Sequence, residues 1–241
     1  MTVALDDPAV VRAEYASERG LLGRVAAYST ENTEGPDARE ATFAAIAEAQ
    51  PRRVLEVGCG TGWLSRRVAD ELAADVVAID QSERMVELAR EAGVDARVGD
   101  VESLAFADGE FDVAVAAWML YHVPRIERAL GELTRVLCPG GRLVAVTNGA
   151  DHLRELRELV GVERLSFGFS GENGASILNR YFAHVERRDI SGWVTFPDRA
   201  SVEAYVTASR SLGLAGSIPE AFEGPLRARR APYVFVAETA A

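Results

Sequence analysis

The sequence contains no lysine. All 26 of its basic side chains are arginine, set against 37 carboxylates for a formal net charge of −11. An acidic excess of that size argues against nonspecific binding to nucleic acid or to an anionic membrane, whose phosphates would repel the chain. The small basic group Arg227, Arg229 and Arg230 reads as solvated surface. Cysteine is scarce too. Cys59 and Cys138 give neither a disulfide framework nor metal-ligand spacing. No acidic metal cluster stands out, so metal independence is expected. Neither an N-terminal apolar targeting core nor a run of ~18 apolar residues is present, which predicts a cytoplasmic protein that does not span a membrane. Repeats and low-complexity segments are lacking. What is there is a chain of 241 residues, 48% hydrophobic and 26% charged. That is the composition of a soluble globular protein, long enough to bury a full core in one large domain.

The most informative stretch runs from Arg53 to Ser65. Val54 to Val57 reads as a short buried strand. Gly58, Gly60 and Gly62 follow at every second position, and an amphipathic helix opens with Leu64, Val68 and Leu72 on one face. Glycines there permit positive φ and let a ligand approach bare backbone. A dinucleotide fingerprint would need glycine at position 63, where Trp63 stands. A second strand, Asp75 to Asp80, ends in an acid at the sheet edge where α/β proteins bind ligands; a carboxylate there can accept both hydroxyls of a ribose. The same logic serves a nicotinamide dinucleotide, and Asp80 also reads as an acid before the helix that Ser82 starts.

Further along, a helix over 82–92 ends at Gly93, and short strands are predicted at Asp95 to Val98 and Phe111 to Ala117. A helix over 124–136 leads to Cys138-Pro139-Gly140-Gly141 and a fifth strand, Arg142 to Thr147. Strands alternating with helices predict an α/β, doubly wound, Rossmann-like sheet with helices on both faces. Before it, apolar spacing predicts a helix from Pro8 to Ala27, a polar break from Ser29 to Asp37 that includes Thr30, and a helix capped by Asp37. After it come a helix over 153–162, the segment Phe167 to Ser170, a helix through Phe182, a strand from Val185 to Ser191, a helix from Ser201 to Leu212, a loop from Gly213 to Pro225, and a last strand from Pro232 to Glu238.

The pattern Glu56-x-Gly58-x-Gly60-x-Gly62, followed by Asp80, Asp100-Val101, the Trp118 segment and Pro139-Gly140-Gly141, resembles the class I S-adenosyl-L-methionine (SAM)-dependent methyltransferases. The match is specific over about residues 50–147 and extends beyond in the order of elements only. The resemblance implies a seven-stranded sheet whose last strand inserts antiparallel between the fifth and sixth. It also implies methyl transfer from SAM to an oxygen, nitrogen or carbon nucleophile, leaving S-adenosyl-L-homocysteine. On that reading Glu56, Gly58, Cys59, Gly60 and Gly62 hold the methionine part, and Asp80, Gln81 and Met85 line the ribose and adenine, although Met85 serves equally as core. Asp100 would accept from the adenine amine with Val101 against the ring, and Ala117 and Trp118 would lie beside the sulfonium. Residues 1–50 would form a helical lid and 51–241 the catalytic domain, with 148–230 supplying substrate-pocket helices and an insert, all in one structural domain.

For the acceptor, Tyr15, Arg19, Tyr28, Trp118 and Asn148 are candidates to face it, and His122, Tyr121 and His152 are the candidate catalytic groups. The ordinary alternatives are that Tyr15 and Tyr28 pack the lid and that His122 is a packing and hydrogen-bonding residue. Where amino-methylating enzymes of DNA and protein carry an Asn/Asp-Pro-Pro-Tyr/Phe motif, this chain reads Ala117-Trp118-Met119-Leu120. A small organic acceptor is therefore expected, with no nucleic-acid partner, in a monomer or homodimer. Two alternatives stand beside this reading: an NAD-dependent oxidoreductase on the same sheet, and a SAM-binding module without catalysis.

Overall fold

The computed structural model describes residues 5–29, 31–162 and 168–241; Thr30 and Phe167, named above, lie outside the described residues. Seven strands form the main sheet: β2 (Arg53–Val57), β3 (Asp75–Asp80), β4 (Asp95–Val98), β5 (Phe111–Ala117), β6 (Leu137–Asn148), β7 (His184–Asp189) and β10 (Pro232–Glu238), in the order β4-β3-β2-β5-β6-β10-β7. The first five run parallel. β10 runs antiparallel to β6 on one side and β7 on the other, with Val234 opposite Val146 and Arg188. This is the expected Rossmann-like α/β sheet. A second, three-stranded sheet orders β1 (Thr33–Glu34), β8 (Gly192–Phe196) and β9 (Leu226–Arg230) as β1-β8-β9, all antiparallel.

The alternation of strand side chains sorts the core into two layers. Phe111, Ala114, Ala116, Phe235 and Ala237 face one side with Leu130, Leu133 and Val136 of α6 (Ile126–Val136). Val113, Val115, Val234 and Val236 face the other, against Ala45 and Ile46 of α3 (Ala38–Ala47) and Leu64 and Val68 of α4 (Trp63–Leu72). α5 (Glu83–Glu91) covers β3 and β4 through Val86 and Ala89. α3 thus belongs to the sheet's outer layer, although its first residues, Ala38 and Arg39, still line the cavity.

Several expectations are corrected. The helix predicted from Pro8 to Ala27 is two, α1 (Pro8–Glu14) and α2 (Arg19–Ala26). The break frees the Tyr15 carbonyl to accept from Ser82 Oγ at 2.6 Å, a tertiary bond that a continuous helix would forbid. The polar break contains β1, and a strand not expected from the sequence, β8, precedes α9. β9 carries the arginines assigned to solvated surface, and Arg230 is 6% exposed. Helices α7 (Arg154–Leu159), α8 (Gly174–Leu178) and α9 (Arg199–Ala208) are shorter than predicted, and the fifth strand starts earlier, at Leu137. Short amphipathic strands paired only with each other carry too little periodicity to stand out from loop. Among the described residues no helix is long and apolar enough to cross a membrane.

Candidate active site

The carboxyl ends of β2, β3, β5 and β6 open into a cavity of about 590 Å³. α2, α9 and the β1-β8-β9 sheet contribute the remaining walls, so Tyr15, Tyr28, Tyr205 and Arg230 line the same space as Glu56 and Asp80.

The glycine turn shapes the β2 end. Gly58, Gly60 and Gly62 have φ of +69°, +53° and +78°, the left-handed region that side chains disfavour. A Cβ on Gly62 would come within 2.9–3.0 Å of the Ala89 Cβ and Cα, so glycine is what lets α4 start against α5. The Gly60 N–H donates to Asp80 Oδ2 at 3.0 Å and the Ser82 N–H to Asp80 Oδ1 at 2.9 Å. Each Asp80 oxygen keeps acceptor capacity for a ligand hydroxyl. Burial raises the Asp80 carboxyl above its ordinary range. Glu56 is 4% exposed, accepts from Ser65 Oγ, and is pushed up to about 7 by burial. Neither Glu56 nor Asp80 has a cationic partner among the described residues. Two cavity-facing carboxylates without a protein cation fit a ligand that carries cationic groups and a ribose.

Asp100 and Val101 line the cavity, where Asp100 Oδ1 accepts from the Glu102 N–H at 2.9 Å. Ala117, Gln81 and Cys59 line it as expected, and burial raises the Cys59 thiol, which suits packing and not nucleophilic attack. Met85 does not line it: it is fully buried on the inner face of α5. Arg19 is likewise not among the lining residues. Trp118 takes a left-handed φ of +54° at the end of β5, which aims the chain away from the sheet, and its Nε1 donates to Asn148 Oδ1 at 3.4 Å.

The two histidines on the cavity are neutral in opposite tautomers. His122 Nδ1 lies 2.7 Å from the Leu5 carbonyl, which only accepts, so Nδ1 carries the proton. Its Nε2 therefore accepts from the Tyr15 hydroxyl at 3.1 Å. Burial lowers the His122 pKa and pushes the Tyr15 hydroxyl up to about 12. At neutral pH His122 holds a free-base lone pair, but Tyr15 covers it. His152 Nδ1 accepts the Ala231 N–H at 3.2 Å, so Nε2–H donates to the Tyr28 hydroxyl oxygen at 3.2 Å. Burial, then Arg157 and Arg230, lower His152 to about 3. Tyr121 lies on the cavity wall with its ring 4.4 Å from that of His122, and burial raises its hydroxyl pKa strongly.

Nothing in the sequence singled out Arg24 and Arg157, and Arg230 read as solvated surface, yet all three line the cavity half-hidden or buried. Tyr205 falls at a buried position of α9, where a hydroxyl among aliphatic neighbours was the available clue.

The fold and the carboxylate-lined cleft are of the Rossmann-like α/β class. Residues 55–145 match the model of the methyltransferase domain family, which supports a class I SAM-dependent methyltransferase with SAM as cofactor. The match favours that reading over the oxidoreductase alternative. The chain is 36% identical over 151 residues to 24-methylenesterol C-methyltransferase 2 of Oryza sativa subsp. japonica, a match covering 54% of this chain and 42% of that protein. It is 39% identical over 102 residues to the demethylmenaquinone methyltransferase of Renibacterium salmoninarum, covering 42% of this chain and 43% of that one. The matches thus span less than half the length of these curated relatives. Two solved structures resemble nearly the whole chain in fold. The [4+2]-cyclase SpnF has a TM-score of 0.64 at 20% identity, covering 99% of this chain and 97% of its own. A Haemonchus contortus phosphoethanolamine N-methyltransferase 2, solved with phosphomonomethylethanolamine and S-adenosylhomocysteine, has a TM-score of 0.65 at 16% identity, covering 97% of this chain and 61% of its own.

Proposed function

We propose that the chain methylates an oxygen, nitrogen or carbon nucleophile of a small organic molecule. The observation that carries this reading is the cavity that joins two uncompensated carboxylates at the glycine turn to an aromatic, hydroxyl-bearing wall. SAM, when bound, supplies an already activated methyl group. Glu56 and the glycine turn would hold its methionine part, Asp80 its ribose, and Asp100 with Val101 its adenine. The chain's remaining work is to orient the acceptor and exclude water. α1, α2 and the roof sheet act as the lid that does this, inside one structural domain. Where the acceptor keeps a proton, Tyr15 is placed to receive it while passing its own to His122 Nε2, which leaves the buried imidazole as the ultimate base. Burial makes His122 a weak base, so this route serves acceptors that are themselves fairly acidic. Its aromatic walls and the acidic surface of the chain favour a small acceptor over a nucleic acid, and a cytoplasmic setting belongs to the same reading.

The test combines thermal shift with SAM, S-adenosylhomocysteine and NAD(H) at matched concentrations and a screen of small acceptors for S-adenosylhomocysteine release. A ligand bound only by the native state raises the melting temperature. Stabilisation by the two sulfur nucleosides and acceptor-dependent release are expected. Stabilisation by NAD(H) alone would sink the reading, and nucleoside binding with no turnover across the screen would favour the non-catalytic module.

A further inference from the structure

The cavity is charged differently at its two ends. Glu56 and Asp80 mark the glycine-turn end. At the other end, under β8 and β9, Arg230 and Arg157 are 6% and 7% exposed and line the wall. Arg230 donates to main-chain carbonyls, from Nε to Trp193 at 3.0 Å and from Nη2 to Glu34 at 2.9 Å and Pro36 at 3.2 Å. No ion pair involving Arg230 occurs among the described residues. Carboxylates of the surrounding elements are engaged elsewhere: Glu34 with Arg227, Glu155 with Arg154 and the Arg229 N–H, and Glu14 with Arg24 and Ser211. A buried guanidinium solvated only by carbonyl dipoles keeps its charge, and in a low-dielectric wall that charge is felt strongly across the cavity.

Hydrogen bonding at the same end has a fixed direction. The Ala231 N–H cannot be reversed, so it donates to His152, His152 donates to Tyr28, and the Tyr28 hydroxyl donates to Tyr205 Oη at 3.1 Å. The Tyr205 proton is the end of that chain. One helical turn further, Ser209 Oγ is buried beside the Tyr205 hydroxyl without a well-formed hydrogen bond, and Ser209 lines the cavity. Buried polar groups left unpaired in a protein's interior point to a missing partner.

We propose that this end of the cavity seats an anionic oxygen group of the methyl acceptor, a carboxylate or a phosphate, with Arg230 supplying the charge and Tyr205 and Ser209 the donors. The inference rests on the methyltransferase reading of the site. It assigns Tyr205 as a specificity-determining residue and makes the acceptor an acid whose nucleophile lies away from its anionic group.

Titration calorimetry on protein saturated with S-adenosylhomocysteine tests it. The probes are benzoate and phenyl phosphate, matched against neutral benzamide and cationic benzylamine; a phenyl ring suits walls that include Tyr28 and Leu214. At least one anion should bind about tenfold or more tightly than benzamide and benzylamine, as charged hydrogen bonds require. The tighter of the two anions identifies the group as carboxylate or phosphate. Tyr205→Phe, which removes only the terminal hydroxyl, should weaken that anion by about fivefold to tenfold while S-adenosylhomocysteine affinity is kept. Benzamide binding as tightly as both anions, or Tyr205→Phe binding the anion undiminished, would overturn the proposal. Loss of S-adenosylhomocysteine binding by the unsubstituted protein would instead refute the methyltransferase reading beneath it.

Discussion

Glu56 both ties down its loop and lines the cavity. Its carboxyl accepts from Ser65 Oγ and faces a cavity with no cation of the protein's own, so burial holds its pKa near 7, above the ordinary 4.5. A carboxyl raised on folding stabilises the native state below the ordinary value, and that contribution is lost as pH rises from 4.5 through 7. The ligand-free protein should therefore lose stability across that window, and Glu56→Gln should lack this component of the loss, as melting curves at stepped pH would show. Binding an ammonium beside Glu56 favours the ionised form. Calorimetry near pH 6.5 in buffers of different ionisation heat should then report a proton released on S-adenosylhomocysteine binding, and no such release in Glu56→Gln. Equal proton release in both proteins would remove Glu56 from the methionine end.

Among the elements, the turn between β2 and α4 is the most tightly specified. Gly60 and Gly58 are held by the β3 end: the Gly60 N–H reaches Asp80, and the Gly58 N–H donates to the Ile79 carbonyl at 2.8 Å. Gly62 is fixed for a different reason, since its missing Cβ makes room for the backbone of α5 as well as for the Ala89 side chain. Gly62→Ala should combine left-handed strain with overpacking and cost about 1–3 kcal/mol, measurable as a lowered denaturant midpoint with unchanged slope. Gly60→Ala meets only the far end of the Leu21 side chain, at 3.3 Å, which can move. Its penalty should be smaller, so a ranking in which it destabilises more than Gly62→Ala would contradict this account.

At the scale of the molecule, α1 and α2, proposed above as a lid, meet the α5 side of the sheet through surface contacts, besides the Tyr15–His122 and Tyr28–His152 bonds. Ser82 Oγ donates to the Tyr15 carbonyl, and Arg84 grips both oxygens of Glu18 at 3.0 and 3.1 Å. α1 ends beside the turn after α9, and α2 lies along α9. No residue of α2 is fully buried. An element held this lightly opens at low free energy, and a ligand that touches both lid and sheet closes it. Amides over 8–28 should exchange rapidly in the free protein and slow severalfold with S-adenosylhomocysteine, while those of β5 and β6 stay protected in both; an unchanged lid pattern would show that the ligand is held by the sheet alone.

Local sequence determined the part of the protein whose physics is local. A buried strand, a glycine turn and an acid one strand later are adjacent in the chain, so the glycine-turn side of the cavity, lined by Glu56, Asp80 and Asp100, was legible along with the five parallel strands. The opposite side was not. Arg24, Arg230, Tyr205 and His152 come from elements as far apart in the chain as α2 and β9, and nothing in their immediate neighbours distinguishes a surface arginine from one buried under a roof. Only the tertiary structure decided that the roof is a sheet, that Met85 is core, and which proton each histidine keeps. The reason is that burial, charge compensation and tautomer are set by groups brought together across the fold, such as the Leu5 carbonyl on His122 and the Ala231 N–H on His152.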